Sequence, residues 1–425
     1  MIPLVILFLL MFLVRSSYVQ SLLGGQATLS LAFGFILIFA FLFGKEISRF
    51  NLPQITGFIL AGIICGPYVL GFLSQPDVRA LQLLDGLALG LIALTAGGEM
   101  RLPRLKARIK DIGSLVIFQT VVIIGGFLCF GLVFPGSLSF FLPGENLPAL
   151  PIFLLLGTLA TATSPSTTIA VITEARSKGN VTDLVLGAAV VKDFFVIIFF
   201  AFSLSLAQSM IGKEEENGVL TGVLLEVGGS VAIGIVVGLG LVFYLKFIRR
   251  ELTVFILGVA FFTYQISHNY GLHPLLICLV AGFLVENFSP HGEGLIQAIE
   301  KVSLPVFVIF FAISGASLDM NALAKSWVLA VIFALLRGGL KFGGSLLGAK
   351  IAKSGPFIEK WSWAGFISQA GVTLGMAVII EKTFPEWGTQ VKALILAVIA
   401  LNQIIGPVFL QKLLNKCGES GKKTG

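Results

Sequence analysis

From Ile2 to Leu414 the chain reads as one apolar run after another, with short polar turns between them. Each run is close to the ~20 residues that carry a helix across a hydrocarbon core. Such runs leave few folds open. Inside a bilayer every backbone N–H and C=O must find a partner within the protein, so a lone run closes on itself as a helix. The runs lie near 2–22, 27–46, 54–73, 81–99, 111–134, 151–174, 184–210 and 219–247, then 251–268, 272–288, 301–317, 327–352, 362–382 and 390–415, fourteen in all. Only 12% of the residues are charged, against ~25% in a soluble domain. The chain is expected to be an all-α polytopic membrane protein with no soluble regulatory domain.

Basic residues set the orientation. Of 29 Lys and Arg, twenty follow even-numbered runs or sit in the last turns and tail, six lie on the opposite side, and Lys192, Arg337 and Lys341 fall within runs. Cytoplasmic loops collect Lys and Arg, so the even loops and the C-terminus are expected in the cytoplasm, as in a bacterial inner or plasma membrane. That distribution, facing anionic lipid, accounts for the net charge of +7 without a nucleic-acid partner. Met1–Val14 lacks the charged lead of a secretory signal and is expected to remain as an extra helix. Cys65, Cys129 and Cys278 lie in apolar runs and Cys417 in the tail, which reads as packing rather than a disulfide framework. His268, His273 and His291 are too scattered for a metal site. No dinucleotide fingerprint, phosphate loop or HExxH is present. Enzymatic activity, a cofactor and a bound metal are not expected.

Two kinds of polar interruption stand out. The run 184–210 carries Lys192 and Asp193 as its only charges. Ionisable groups at bilayer depth cost at least a few kcal/mol each, so they face a cavity or a partner and mark ion pathways. The run 151–174 holds Thr161, Thr163, Ser164, Pro165, Ser166, Thr167 and Thr168 at its centre. Pro165 removes a backbone donor and clashes with the preceding turn, which predicts unwinding near Thr161–Ser164. Freed carbonyls and hydroxyls there would suit a dehydrated alkali cation. The run 362–382 is interrupted by Ser368, Gln369, Gly371, Thr373 and Gly375.

The two interrupted runs are seven apart and so cross in opposite directions, the signature of an inverted-repeat transporter. On that reading residues 1–26 form the extra helix, 27–210 the first repeat, 211–250 a linker helix, 251–415 the second repeat and 416–425 a tail. The run 327–352 adds Arg337 and Lys341, four apart on one face. Lys341 either snorkels to the cytoplasmic edge or reaches the interruption, opposing a helix dipole or pairing with Asp193.

Several stretches together resemble monovalent cation:proton antiporter family 2, the Kef-type and related sodium/proton exchangers. They include ITGFILAGIICGPYVLG at 55–71, LGLIALTAGGEM at 89–100, ATATSPSTTIAV at 160–171, VVKDFF at 190–195, GLHPLLICLVAGFLVEN at 271–287, LPVFVIFFAISGASLDM at 304–320, LKFGGSLLGAKIA at 340–352 and ISQAGVTLGMAV at 367–378. The resemblance implies an inverted-repeat antiporter fold: a 13-helix core with two crossing discontinuous helices, here preceded by the extra helix, and a homodimer. It puts Asp193 on the essential aspartate and Lys341 on the basic position of the later helix. Thr163–Thr167 and Ser368–Gly371 fall on the two crossings, and Glu99 on the acidic end of the third core helix.

Exchange of Na+ or K+ for H+ by alternating access is the activity this implies, with Asp193 holding a proton or a cation but never both. Thr163, Ser164, Ser166 and Thr167 are the candidate ligands beside it. Lys192, Lys341 and Arg337 are the candidate compensating charges, and Ser368, Gln369 and Gly371 mark the second break. Lys192 departs from the family pattern. It either faces another acceptor or tethers the carboxylate as an internal counter-ion, and both readings stay open. K+ efflux gated by a separate regulatory subunit and a degenerate or anion-coupled transporter are the rivals.

Overall fold

A computed structural model describes Met11 and residues 17–81, 83–134, 148–211, 219–248, 250–290, 292–318, 320–369 and 372–421. Among these residues the structure is helical, with no strand. In chain order the helices begin with α1 (Ser17–Ser48), α2 (Gln54–Cys65), α3 (Gln75–Leu81), α4 (Leu83–Glu99), α5 (Leu102–Ala107) and α6 (Ile109–Val133). Next come α7 (Ala149–Thr161), α8 (Pro165–Ala175), α9 (Asn180–Met210), α10 (Val219–Phe247), α11 (Leu252–Tyr270) and α12 (Pro274–Phe288). The last are α13 (Gly292–Ala316), α14 (Met320–Ala352), α15 (Pro356–Trp361), a 3-10 turn Ser362–Phe366, α16 (Val372–Thr383) and α17 (Gly388–Lys416).

Among the described residues seven helices are long and apolar enough to cross a membrane, or up to nine if each of two bent pairs counts as one span. Three shorter apolar helices accompany them. The first run, near 2–22, lies largely outside the described residues, and its end from Ser17 continues without a break into the run 27–46. Ser17–Ser48 is one helix through Gly24 and Gly25; two glycines cost helix stability without breaking it. The run at 54–73 stops being helical at Cys65, where Gly66 and Pro67 follow. A bend of 50° separates Gly292–Ile299 from Lys301–Ala316. Pro305 lies one turn on, where its ring crowds the carbonyl four residues back.

The chain divides into two compact units, Met1–Glu99 with Ser230–Asp319, and Met100–Gly229 with Met320–Gly425. In the first, α4 packs on α12 and α2 on α13, and both pairs meet at glycine. A Cβ on Gly62 would collide with the Ala312 carbonyl, and one on Gly282 with the Leu94 carbonyl. Small residues that let backbones approach are how helices associate where lipid removes the hydrophobic drive.

In the second unit α14 packs on α6 and α17, and α7 on α6 and α9. Its core holds Phe127, Phe153, Phe200, Phe333, Phe384 and Trp387. The Phe153 and Phe333 rings stack 6.0 Å apart. The chain beyond α17 folds back onto the turn before α9. Glu419 accepts hydrogen bonds from the Val181 and Thr182 amides at 2.8 and 2.7 Å, and from the Thr182 hydroxyl at 2.7 Å. Its carboxylate thereby caps an N-terminus whose amides have no helical partners.

Candidate functional site

Every described residue singled out for chemistry from the sequence, Glu99 excepted, lies in the second unit. Glu99 is the last residue of α4, and Gly371 lies outside the described residues.

The first break falls where Pro165 predicts. α7 ends at Thr161, Ala162–Ser164 are non-helical, and α8 restarts with Pro165 at its first position. Proline suits that position because its missing N–H would have no helical partner there. Ser164 is the cap: its hydroxyl accepts from the Thr167 amide at 3.2 Å and lies 3.0 Å from both the Ser166 and Thr167 hydroxyls. Thr163, Ser164, Ser166 and Thr167 are all buried. The second break follows the 3-10 turn, with Ile367–Gln369 non-helical.

The two breaks bond to each other. The Ser164 amide donates to the Ser368 carbonyl at 3.0 Å, and the Gln369 side-chain amide donates to the Leu159 carbonyl at 3.0 Å. α17 passes directly behind the second break at Gly406, where a Cβ would come within 2.6 Å of the Ser368 Cα. From the same helix Asn402 donates to the Gln369 Oε1 at 3.1 Å.

Two cations of α14 close this crossing. Arg337 donates from Nε to the Ala160 carbonyl at 2.9 Å, and from its two terminal nitrogens to the Ala162 and Ile367 carbonyls, each at 2.7 Å. Lys341 donates to the Phe366 carbonyl at 2.6 Å, the Thr163 hydroxyl at 2.9 Å and the Ala162 carbonyl at 3.0 Å. Lys341 is fully buried and does not snorkel. Both cations stand at the C-terminal ends of half-helices, where carbonyls are unpaired and the dipole is negative. Hydrogen bonds to a charged donor contribute about 1.5–3 kcal/mol each, so three per side chain offset the few kcal/mol of placing it at bilayer depth. The Ala160 and Ala162 carbonyls at this break therefore accept from the protein's own cations.

Lys192 and Asp193 diverge. Lys192 Nζ donates to the Gln119 Oε1 on α6 and lies 5.3 Å from the centre of the Phe366 ring. Gln119 in turn donates from Nε2 to the Ser345 hydroxyl on α14 at 2.6 Å. All three residues are buried. Asp193 is only half-buried, and among the described residues its carboxylate makes no hydrogen bond and no ion pair. Of the two readings of Lys192, the geometry matches the one in which it faces another acceptor. Gln119, Ser345 and Asn402 were not singled out from the sequence. The available signal was the one amide of the run 111–134 and the one hydroxyl of the run 327–352; Asn402 is one of several amides in its run.

A family model described as the transmembrane sodium/hydrogen exchanger matches residues 34–416. The chain belongs to the sodium/hydrogen exchanger family. A probable Na+/H+ antiporter 3 of Methanocaldococcus jannaschii is 22% identical over 403 residues, covering 92% of this chain and 98% of its own. The Na+/H+ antiporter of Enterococcus hirae is 24% identical, covering 90% and 97%. The Na+/H+-K+ antiporter GerN of Bacillus cereus is 26% identical, covering 80% and 85%. These relatives narrow the resemblance to sodium/proton antiporters, without carrying the Kef-type label. The structure of the sodium proton antiporter MjNhaP1 from M. jannaschii superposes with a TM-score of 0.70 at 20% identity, over 92% of this exchanger and 98% of that chain. A likeness at that identity carries the fold: a polytopic helical antiporter fold.

Proposed function

We propose that this exchanger moves Na+ inward or outward against H+ by secondary active antiport, with Asp193 as the group that carries one or the other. A carboxylate binds a proton or an alkali cation but not both, so alternating exposure of a single carboxylate obliges exchange. The observation that carries the reading is an imbalance of partners. Arg337 and Lys341 are committed to carbonyls of the two breaks and Lys192 to an amide, while among the described residues none claims the Asp193 oxygens. A buried carboxylate satisfied by its neighbours would have no capacity for a passenger.

The hydroxyls of Thr163, Ser164, Ser166 and Thr167 line the neighbouring break and serve first to hold it open. Family membership and the name of the Bacillus cereus relative support Na+ as the cation, with K+ a second substrate. The distribution of Lys and Arg supports a cytoplasmic C-terminus. The opposite course of the two interrupted runs supports repeats over 27–210 and 251–415.

The test is dissipation of an imposed pH gradient in proteoliposomes on adding Na+, K+ or Li+. Wild type responds to Na+, and Asp193→Asn, inserted to the same level, gives less than about one hundredth of the rate. Removing the group that carries both ions costs at least as much as losing a general base, about 10²-fold. Sustained Na+-dependent exchange by Asp193→Asn would remove Asp193 from this role.

A further inference from the structure

The role of Asp193 leaves a question that the sequence raises and the geometry answers. Its immediate neighbour is a lysine. Consecutive Cα atoms are ~3.8 Å apart, and a lysine ammonium rides on a flexible four-carbon stem. Adjacent positions on a helix point ~100° apart, so contact is not imposed, yet within a low-dielectric interior an ammonium is drawn strongly to the nearest carboxylate. A lysine turned to Asp193 would fill the place that a transported cation needs. In the structure it turns the other way, to Gln119.

We propose that Gln119, braced by Ser345, is the positioning residue that holds the Lys192 ammonium away from Asp193 and so keeps the carboxylate open to the transported cation. The inference rests on the reading of Asp193 given above.

The chemistry of the three side chains fits this task. Lysine has three donors and no acceptor, so it must meet the oxygen end of the Gln119 amide, which leaves the nitrogen end to find an acceptor. Ser345 supplies that acceptor at 2.6 Å. Both Gln119 and Ser345 are fully buried, so no water competes for the amide. The Phe366 ring face, 5.3 Å from the ammonium, adds a second attraction. Arg337 and Lys341, the other buried cations of this unit, stand at the breaks and offer the ammonium no acceptor. The acceptor is also neutral. A carboxylate at position 119 would hold the same ammonium as an ion pair and be neutralised by it, so it tests the holding role with the lysine still in place.

The experiment measures the apparent KM for Na+ and the maximal exchange rate in proteoliposomes for a short series at one pH. Gln119→Leu removes the acceptor and is expected to raise the KM about tenfold, the effect of bringing a unit charge to ~4–6 Å from a carboxylate, with the maximal rate near wild type. Gln119→Leu combined with Lys192→Met removes the wandering charge, and the KM falls back towards the wild-type value. Gln119→Glu holds the lysine at least as firmly, so its KM stays near wild type. Ser345→Ala loosens the amide and raises the KM by a smaller factor than Gln119→Leu.

A residue that only fills space would behave differently. The KM of Gln119→Glu would then not differ from that of Gln119→Leu, and Lys192→Met would restore nothing. Either of those results overturns the proposal, as does an unchanged KM in Gln119→Leu. Should Gln119→Leu fail to insert, Gln119→Glu and Ser345→Ala decide alone: a raised KM in the first, or an unchanged KM in the second, overturns it. If Asp193→Asn is inactive and this series shows no KM effect, only the role of Gln119 falls. If Asp193→Asn still exchanges, the reading of Asp193 falls instead.

Discussion

In both units helices approach closely at glycines, such as Gly62 and Gly282 in the unit built from Met1–Glu99 and Ser230–Asp319 and Gly344 and Gly406 in the unit built from Met100–Gly229 and Met320–Gly425. Only the second, among the described residues, also packs its helices around buried cations. Among the described residues Asp77 is the one buried charge of the first unit. It spends its carboxylate on the Ser74 amide and hydroxyl at 2.8 and 2.6 Å, a capping box that starts α3. The second unit buries Lys192, Arg337 and Lys341 together with Gln119, Gln369 and Asn402.

The contrast is one of purpose. The first unit carries few buried polar obligations among the described residues. Buried cations are expensive, and a protein keeps them where two unwound segments present carbonyls that need donors. The broken helices of the second unit expose carbonyls, and the buried cations compensate them.

Three substitutions probe that contrast, in descending order of effect. Arg337→Met strips donors from the Ala160, Ala162 and Ile367 carbonyls at once. Each buried polar group left unpaired costs about 1–3 kcal/mol, so the detergent-solubilised protein should melt far below wild type. A melting temperature unchanged by Arg337→Met would break the claim that cations hold the second unit together.

Gly62→Ala is next. Its Cβ meets backbone rather than a side chain that can turn away, and overpacking of that kind costs about 1–3 kcal/mol. Thermal stability should fall while the apparent KM for Na+ of the folded protein stays put. A shifted KM would tie the first unit to ion binding and blur the division drawn here.

Glu419→Ala is the mildest. It removes the cap from α9, worth ~1 kcal/mol. Hydrogen exchange should rise at the Val181 and Thr182 amides, with little change at the Asp193 level of the same helix. Protection unchanged at those amides would mean that the carboxylate bonds are not made in solution.

Much of the fold could be read from the chain. Apolar runs gave the helices, and Pro165 beside Ser164 gave the first break to within a residue of where α7 ends. Ser368 and Gln369 marked the second break correctly, although the 3-10 turn before it carried no warning. The gap read between the runs near 2–22 and 27–46 is helical from Ser17 on, because helix propensity is a weak prior against a long apolar context.

The candidate site was only half legible. Lys192, Asp193, Arg337 and Lys341 were conspicuous as charges in apolar runs, but the groups they meet were not. Gln119 lies 73 positions from Lys192 and 226 from Ser345. No local pattern links such residues.

By itself the sequence determined that this chain is a helical membrane protein with two interrupted helices and ionisable groups at bilayer depth. Those facts follow from run length, proline chemistry and the cost of charge in lipid, all of them local. Only the tertiary structure decided which charge is spent and which is free. Whether a buried lysine meets a carbonyl, an amide or a carboxylate depends on which helix faces pack together, and that is settled among residues far apart in the chain. Arg337, Lys341 and Lys192 came out of that arrangement with partners, and Asp193 without one among the described residues.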